Sequence, residues 1–539
     1  MRQAMIGLSS AIAAATGALL AIVSVPVPVV SVPAAAQDAA QRLGAVHFPT
    51  SCNETAQRRF DRGMRYQHSF WYSQSKEIFE DVLKADPKCV IAYWGIGQSL
   101  LANPFNPTPA KNLSEGLAAL TKAKEIGAGT PREGDLITAL TVYYTDHDKL
   151  DQRTRVQAYA KAMEAVAGRH RDDEVQIYYA LALDVAAPPS DKTYANQLKA
   201  AAILEPIFQH QPHHPGVAHY LIHTYDYPAL AQKGLDAASR YAAIAEAAPH
   251  AQHMPSHIFT RVGSWKESAL SNATAAKLAK QGKEPDDQLH ASDYMVYAYL
   301  QLGRDREARA VIDEMAGVTG YNAERNTGPF ALAASPARYV LERGDWSGAL
   351  QLSATASKFA YTEAMTRFAR ALGAARLGRP DAAKSEISRL VELRDSLRAA
   401  RDAYWAEQVD IQHAAASAWL LFAEGNRDGA LAMLASAADA EDKTEKATVT
   451  PGPLIPAREL YGTMLLASGR AQEALATFKA VLEKEPRRLG AMLGAARAAI
   501  AAGDAANARR YYEAMVAQTD TADGERPELA EARAYVAKR

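Results

Sequence analysis

Apolar residues recur at helical spacing along most of the chain, and they do so in pairs of stretches. The clearest pair is ELYGTMLLASGRAQEALATFKAVLEKEP, residues 459–486, in which two apolar stretches flank Gly469 and Pro486 ends the second. Apolar positions three and four residues apart are typical of a helix with one buried face, and proline stops a helix. This segment is therefore predicted to form a helix-turn-helix unit.

The glycine between the two stretches repeats at a fixed interval. Gly503 follows Gly469 by 34 residues, and Gly378 follows Gly344 by the same distance. Each of the four is followed five residues later by an alanine, namely Ala474, Ala508, Ala349 and Ala383. A 34-residue period of helical pairs indicates a repeat protein in which neighbouring pairs bury each other's apolar faces.

Residues 459–486 resemble a tetratricopeptide repeat, because small and large residues stand in that family's order. The matching positions are Gly462, Gly469, Ala474, Phe478 and Pro486. The resemblance implies an all-α, right-handed α-solenoid of about twelve repeats, with the first helix of each pair lining a concave groove. Weaker copies lie near 55–88, 90–126, 132–168, 173–212, 214–249, 250–284, 289–320, 330–360, 364–395, 411–444, 455–488 and 489–522.

The chain is also similar to exported bacterial tetratricopeptide proteins that carry comparable HPGxxHYxIH and HMPSHI stretches. We divide it into four parts. These are a signal peptide (1–36), a lead segment (37–54), an N-terminal solenoid with a histidine-rich groove (55–329), and a C-terminal solenoid with its cap (330–539).

The first 36 residues predict export. No charged side chain occurs between Arg2 and Asp38, and three alanines at 34–36 meet the small-residue rule for cleavage. An uncleaved membrane anchor is the alternative, but Pro26, Pro28 and Pro33 would break its helix. The mature protein is thus expected in the periplasm or outside the cell, without a stable membrane span.

The chain contains only two cysteines, Cys52 and Cys89. An even pair in an exported protein predicts a disulfide, with two buried thiols as the alternative.

The net charge limits the classes of partner that the protein can bind, because 60 Lys and Arg balance 61 Asp and Glu. No nucleic acid is expected as a partner, since binding it by counterion release needs a basic excess.

Histidine is crowded into one part of the chain. Nine of the 14 lie within about eighty residues: His210, His213, His214, His219, His223, His250, His253, His257 and His290. The family's register puts His250, His253 and His257 on the groove face, followed in the next repeat by His290, Asp293 and Tyr297. His219 and His223 are an i,i+4 pair in the repeat before, and His68 is a more distant candidate. The loop QHQPHHP accounts for the other three, which we expect to be solvated.

Two histidines one helical turn apart can share a metal ion whose third ligand comes from a neighbouring helix. We expect His219 and His223 to do so, with His257 as the third ligand and His253 or His290 as a fourth. Pro255 makes the pair His253 and His257 less favourable, because the helix is expected to start near Met254.

Groups around the expected site have supporting roles. Asp226 and Asp293 are candidates for orienting the imidazoles, while His250 and Tyr297 are expected to line the groove. An all-nitrogen site favours Zn(II), Cu(II) or Ni(II) over Cu(I), and copper has the highest affinity in the series. The expected cofactor is therefore zinc or copper.

The sequence lacks the motifs of several common enzyme classes. HYLIH lacks the glutamate of HExxH proteases, and GxxxxGK[ST], GxSxG and CxxC do not occur, so no nucleotide or flavin is expected. Two functions stay open. The family resemblance implies a scaffold that binds a peptide or protein partner in its groove, and the histidines predict a zinc- or copper-dependent enzyme as the alternative. The sequence leaves open which of them applies.

Overall fold

The structure is a computed structural model that describes residues 42–538, apart from 189, 355 and 356. The predicted signal peptide, 1–36, lies outside the described residues, as does the start of the predicted lead segment. The described residues form 26 α-helices and one 3-10 helix, and no strand. None of these described helices is long and apolar enough to cross a bilayer.

The helices follow one another with short connections. The first fifteen are α1 (Glu54–His68), α2 (Tyr72–Ala85), α3 (Ile91–Leu101), α4 (Ala110–Ile126), α5 (Pro131–Tyr144), α6 (Gln152–Arg169), α7 (Asp173–Val185), α8 (Ala195–His210), α9 (Pro215–Tyr225), α10 (Leu235–Ile244), α11 (Pro249–His253), α12 (Pro255–Arg261), α13 (Trp265–Gly282), α14 (Pro285–Gln301) and α15 (Asp305–Ala316). The others are α16 (Thr327–Glu342), α17 (Trp346–Leu350), α18 (Ala360–Arg376), α19 (Pro380–Ala399), α20 (Ala403–Ala423), α21 (Arg427–Asp442), α22 (Ala457–Ala467), α23 (Ala471–Lys484), α24 (Leu489–Ala501), α25 (Ala505–Gln518) and α26 (Pro527–Ala537). The 3-10 helix, Ala231–Gly234, precedes α10.

Each helix packs mainly against the helices before and after it, and several also contact the next but one. This is the contact pattern of stacked helical pairs, in which each pair touches only its neighbours. The expected all-α solenoid of about twelve repeats is confirmed.

The C-terminal repeats show how the period is built. Gly469 and Gly503 turn the chain between paired helices with φ of +76° and +77°, a region that glycine enters without steric cost. Phe478 fills the space beside two other glycines. A Cβ at Gly494 would lie 2.3 Å from the Phe478 ring, and one at Gly462 would lie 3.0 Å from it. Small residues are needed there because the large ring occupies their side-chain space.

Two features tie distant parts of the chain together. A disulfide joins Cys52, before α1, to Cys89, after α2, with Cα atoms 4.8 Å apart. The C-terminal end of the solenoid also packs against α13–α15, where Trp265 Nε1 donates to the Arg487 carbonyl at 2.9 Å and Arg526 pairs with Asp305. The solenoid therefore closes on itself, which the repeat period alone does not predict.

Residues 443–456, here called the crossing segment, connect α21 to α22 and lie against the N-terminal half. Glu445 forms an ion pair with Lys192 at 2.7 Å, and the Thr450 carbonyl accepts from Tyr294 Oη at 2.9 Å. The segment covers the inner face of the repeats that carry the histidines.

Candidate metal centre

Six histidines from four helices meet at one place. They form two groups, each with one nitrogen per ring within 4.8 Å of the others. The first, here called triad one, is His219 and His223 from α9 with His250 from α11. The second, triad two, is His253 from α11, His257 from α12 and His290 from α14.

Triad one begins with an i,i+4 pair on α9. The rings of His219 and His223 are 4.9 Å apart, and His219 Nε2 lies 3.2 Å from His250 Nε2. His219 Nδ1 donates to the carbonyl of His68 at 2.8 Å. Since a carbonyl only accepts, the hydrogen of the neutral His219 ring is on Nδ1, and its Nε2 has a free lone pair facing His250.

Aromatic side chains pack against the three histidines of triad one. Phe70 lies 4.2 Å from His219, 5.3 Å from His250 and 5.7 Å from His223, as ring centroids. Phe105 stacks on His223 at 4.3 Å, and within the described residues His223 Nε2 is buried without a hydrogen-bond partner. Phe70 adopts φ of +57°, a strained conformation for a bulky residue. The strained backbone places the Phe70 ring against imidazole nitrogens that could bind a metal. Backbone strain of this kind is often found at functional sites.

Triad two brings two lone pairs together. His253 Nδ1 donates to Asn272 Oδ1 at 2.7 Å, and the Asn272 amide is oriented because its Nδ2 donates to the Ser268 carbonyl at 2.8 Å. His257 Nδ1 donates to the Asp226 carboxylate at 2.8 Å. Both Nε2 atoms are therefore unprotonated in the neutral rings, yet they lie 3.0 Å apart.

Two nitrogen lone pairs at this distance repel unless a cation lies between them. A tetrahedral metal with nitrogens about 2.0–2.1 Å away holds its ligand nitrogens about 3.3 Å apart. This is close to the 3.0 Å between His253 Nε2 and His257 Nε2 and the 3.2 Å between His219 Nε2 and His250 Nε2. A shared proton is the alternative, but burial is the main cause that lowers the pKa of both His253 and His257, so protonation is disfavoured.

The same effect acts on the other four rings. Burial lowers the pKa of His219, His223, His250 and His290 well below the ordinary value, and neighbouring imidazoles lower it further. His219, His223, His253 and His257 are buried, while His250 and His290 are partly buried. At neutral pH the six rings are neutral, which is the form that binds metal ions.

The two triads are adjacent. The rings of His223 and His257 are 6.0 Å apart, and those of His250 and His253 are 6.1 Å apart. The arrangement is thus one centre with two three-histidine sites, rather than two unrelated clusters.

A charged group supports triad two. Besides His257, the Asp226 carboxylate binds Lys446 of the crossing segment at 2.7 Å and Arg261 at 2.9 Å. Burial alone would raise the pKa of Asp226, but these two cations hold it well below its ordinary value. Burial lowers the pKa of the Lys446 ammonium to about 8, although Asp226 opposes that shift. Asp226 therefore orients the His257 imidazole.

A third group lies behind triad one. Glu174 accepts from His68 Nε2 at 3.1 Å and from His214 Nε2 at 2.9 Å. Tyr220 Oη donates to His68 Nδ1 at 3.0 Å, so both nitrogens of this ring are occupied. A Cβ on Gly216 would lie 2.3 Å from His68 Nδ1, which explains the glycine in HPG. The hydrogen bonds to both nitrogens of His68 fix the position of this residue, and its backbone carbonyl in turn orients the His219 ring.

Several placements differ from the predicted ones. His214 is buried and accepts from the Val217 amide at the start of α9, whereas His213 is exposed as expected of a solvated loop. His68 is buried against Glu174 instead of lining the groove. The reason is that α1 and α9 pack together, which a repeat register does not encode.

The histidines are grouped differently from the expected ligand set of His219, His223 and His257. His257 lies with His253 and His290, and its place in the first group is taken by His250. A helix does start next to Met254, since α12 begins at Pro255. The sequence did not predict that α11 ends at His253 just before it and that Met254 joins the two helices with helical angles of −54° and −37°, so Pro255 leaves the i,i+4 relation intact.

Asp293 and Tyr297 lie apart from the imidazoles. Asp293 accepts from Ser335 Oγ at 2.9 Å, and Tyr297 Oη accepts from Arg488 at 2.8 Å. Tyr294 takes the place expected for them, with its ring 4.8 Å from His253 and 4.9 Å from His257. It follows His290 by four residues, so helical spacing within α14 could have identified it.

The six histidines also do not line an open groove. The crossing segment and the Phe70 and Phe105 rings cover the face on which they lie. The sequence gives no signal for this cover, because its parts are far apart in the chain.

Two solved structures align with most of this chain at low sequence identity. Yeast Tom70 aligns over 89% of this chain and 96% of its own, with 12% identity and a TM-score of 0.32. The Cut9 and Hcn1 hetero-tetramer of the APC/C aligns over 90% and 96%, with 10% identity and a TM-score of 0.30. No curated protein matches this chain.

One family model matches part of the sequence. The tetratricopeptide repeat model matches residues 465–534, which extend from α22 into α26. This is the stretch in which the 34-residue period and the Phe478 packing are clearest. The chain therefore carries tetratricopeptide-repeat sequence at its C-terminal end, within an all-α solenoid.

Proposed function

We propose that this protein is a metalloprotein that binds two metal ions, one in each histidine triad. The observation that carries the proposal is the 3.0 Å approach of His253 Nε2 to His257 Nε2, with both Nδ1 atoms donating to acceptors. This arrangement is stable with a cation between the nitrogens and repulsive without one. The unpartnered His223 Nε2 supports the second site.

Each triad supplies three nitrogens, which leaves an open position on a four-coordinate ion. Open positions are typical of catalytic metal sites, whereas structural sites are closed by four protein ligands. Zinc and copper both suit imidazole. The open positions favour the metal-dependent enzyme over a purely structural metal site, with its reaction at the paired ions.

Metal analysis of the purified mature protein tests the proposal. We expect two metal ions per chain, and one after either His223→Ala or His257→Ala, with helix content by circular dichroism unchanged. His213→Ala is the matched control, because this histidine is exposed in the loop before α9. Metal-free wild-type protein from zinc- and copper-supplemented growth would contradict the two-metal centre.

A partner-binding function is the second candidate, because a tetratricopeptide-type solenoid presents surfaces that bind proteins. A pocket between the crossing segment and α16, α18 and α20 is lined by Phe330, Met365 and Trp405, and Trp405 stacks on Tyr361 at 4.0 Å. Aromatic anchors of this kind are common in peptide-binding sites. Retention of a partner by the wild type but not by Trp405→Ala would support this function, and equal retention by both would argue against it.

Export remains part of the proposal. The uncharged apolar N-terminus and the Cys52–Cys89 disulfide both fit an oxidising compartment. Fractionation and N-terminal sequencing test it, with a mature N-terminus near residue 37 as the expected result. An intact N-terminus in the cytoplasm would contradict it.

A further inference from the structure

The charges around the triads limit which metal pair the centre can hold. This inference rests on the proposed two-metal centre and concerns the identity of its ions and their ligand. All six ligand-type side chains are imidazoles, which bind metal ions as neutral rings. The nearest carboxylate described above, Asp226, is already paired with Lys446 and Arg261, so these three groups together carry a net positive charge.

Two divalent ions would bring four positive charges into a site where none of the six histidine ligands carries a negative charge. Burial of uncompensated charge is strongly unfavourable. Of the metals that imidazole binds well, zinc, nickel, iron and copper, copper is the one with an accessible monovalent state. A Cu(I) pair halves the buried charge. Burial therefore reverses the preference for divalent ions that ligand type alone suggests.

Oxidation of the pair then requires an anion. Neighbouring rings of the two triads are 6.0 and 6.1 Å apart, so two ions held by the triads would lie close enough to share one small ligand. The aromatic rings beside the triads are Phe70 and Phe105 at triad one and Tyr294 at triad two. Surroundings of this kind admit a small uncharged molecule more readily than a preformed anion.

We propose that the two triads hold a copper pair that binds dioxygen as a bridging peroxide. Each Cu(I) gives one electron to O2, so the two ions become Cu(II) and O2 becomes a peroxide dianion bound to both. No proton and no further reductant is needed. The net charge of the centre stays at two before and after binding, and release of O2 returns both electrons to the copper ions. Copper is among the metals that carry O2 chemistry in proteins.

Dioxygen uptake by the full mature chain tests this inference. Protein loaded with Cu(I) without oxygen is titrated with O2. We expect uptake of one O2 for two copper ions, a new near-ultraviolet absorption band from peroxide bound to Cu(II), and no electron paramagnetic resonance signal, because bridged Cu(II) spins pair.

Variants with one triad intact sharpen the test. His223→Ala and His257→Ala should each keep one copper, take up no O2 as peroxide and, once oxidised, give the resonance signal of an isolated Cu(II). His213→Ala should behave as the wild type. Zinc-loaded wild type is the redox-silent control. If the variants misfold, the ratio of O2 taken up to copper bound in the wild type still tests the inference.

The outcomes separate this inference from the proposal on which it rests. Two copper ions per chain without O2 uptake would overturn the dioxygen inference and leave the two-metal centre standing. Two zinc ions in protein that does not take up copper would do the same. A chain that binds neither metal at two per chain would overturn both.

Discussion

Two regions of one solenoid differ in the polar side chains that they bury. The C-terminal repeats α22–α25 fill their core mainly with alanine, leucine, methionine and Phe478, and most of their ion pairs, such as Arg470 with Glu473, are exposed, while Arg488 with Glu459 is a buried exception. The region α9–α14 places six imidazoles and the charged group around Asp226 in its interior. Its helices are also broken, since α11 has five residues and α12 has seven.

The two regions differ in how far apart in the sequence their contacting residues are. Phe478 packs on glycines at 462 and 494, each sixteen residues away, so the contact repeats with the period. His219 uses a carbonyl 151 residues earlier, and Asp226 uses an ammonium 220 residues later. A buried polar group needs a partner, and a repeat period does not supply it. The polar region therefore depends on the closure of the whole solenoid, whereas the apolar region depends on its neighbours.

The largest effect should come from removing the charge at the centre of the polar region. Asp226→Ala leaves Lys446 and Arg261 buried without their common partner, and we expect a loss of about 3–5 kcal/mol in the free energy of unfolding of the metal-free protein. Glu473→Ala is the control from the apolar region and should leave stability nearly unchanged. Denaturant unfolding measures both, and equal effects would remove the contrast between the regions.

Loss of an orienting acceptor should weaken one site only. Asn272→Ala frees the His253 ring to turn, and we expect triad two to lose about 10–100-fold in metal affinity while triad one keeps its own. Competitive titration with a chelator measures the two affinities. A uniform loss at both sites would show that the triads are not separable.

The polar region should also respond to pH through Asp184 on α7. Burial, with a smaller contribution from the Asp226 carboxylate, raises the pKa of Asp184 to about 8. Because the folded protein keeps this proton between about pH 4 and 8 while the unfolded chain loses it, the free energy of unfolding falls as pH rises across that range. The slope is up to about 1.4 kcal/mol per pH unit.

Asp184→Asn removes this titration. The stability of the variant relative to the wild type should therefore grow from pH 4 to pH 8 and stay level above it. Chemical denaturation at several pH values measures this difference. A constant difference over the whole range would contradict the raised pKa.

The smallest effect concerns the apolar region. Gly503→Ala places a side chain at φ of +77° in open space, so only backbone strain opposes it, at about 1–2 kcal/mol. Metal content should not change. Thermal unfolding at matched metal loading tests both statements, and an altered metal content would link the two regions more closely than their contacts suggest.

The sequence predicted what its period encodes. The helical pairs, the turn glycines such as Gly469 and the i,i+4 pair of His219 and His223 all follow from local spacing. The division of six histidines into two triads does not, since it depends on how α11 and α14 cross α9. Lys446 could not be identified, because a lysine in a connecting segment has no spacing that marks it. The repeat register predicts which helix face carries the histidines, and it contains no information on the segments that cover that face. The histidines were therefore expected in an exposed groove.

The link between Lys446 and Asp226 has a consequence for how the protein is made. A chain leaves the ribosome from its N-terminus, so all six histidines and Asp226 emerge before Lys446 has been added. During that interval the nascent imidazoles are open to the surrounding solution, and the crossing segment covers them only afterwards. For the proposed metal centre, the order of synthesis thus sets an interval in which ions can enter before Lys446 packs against Asp226.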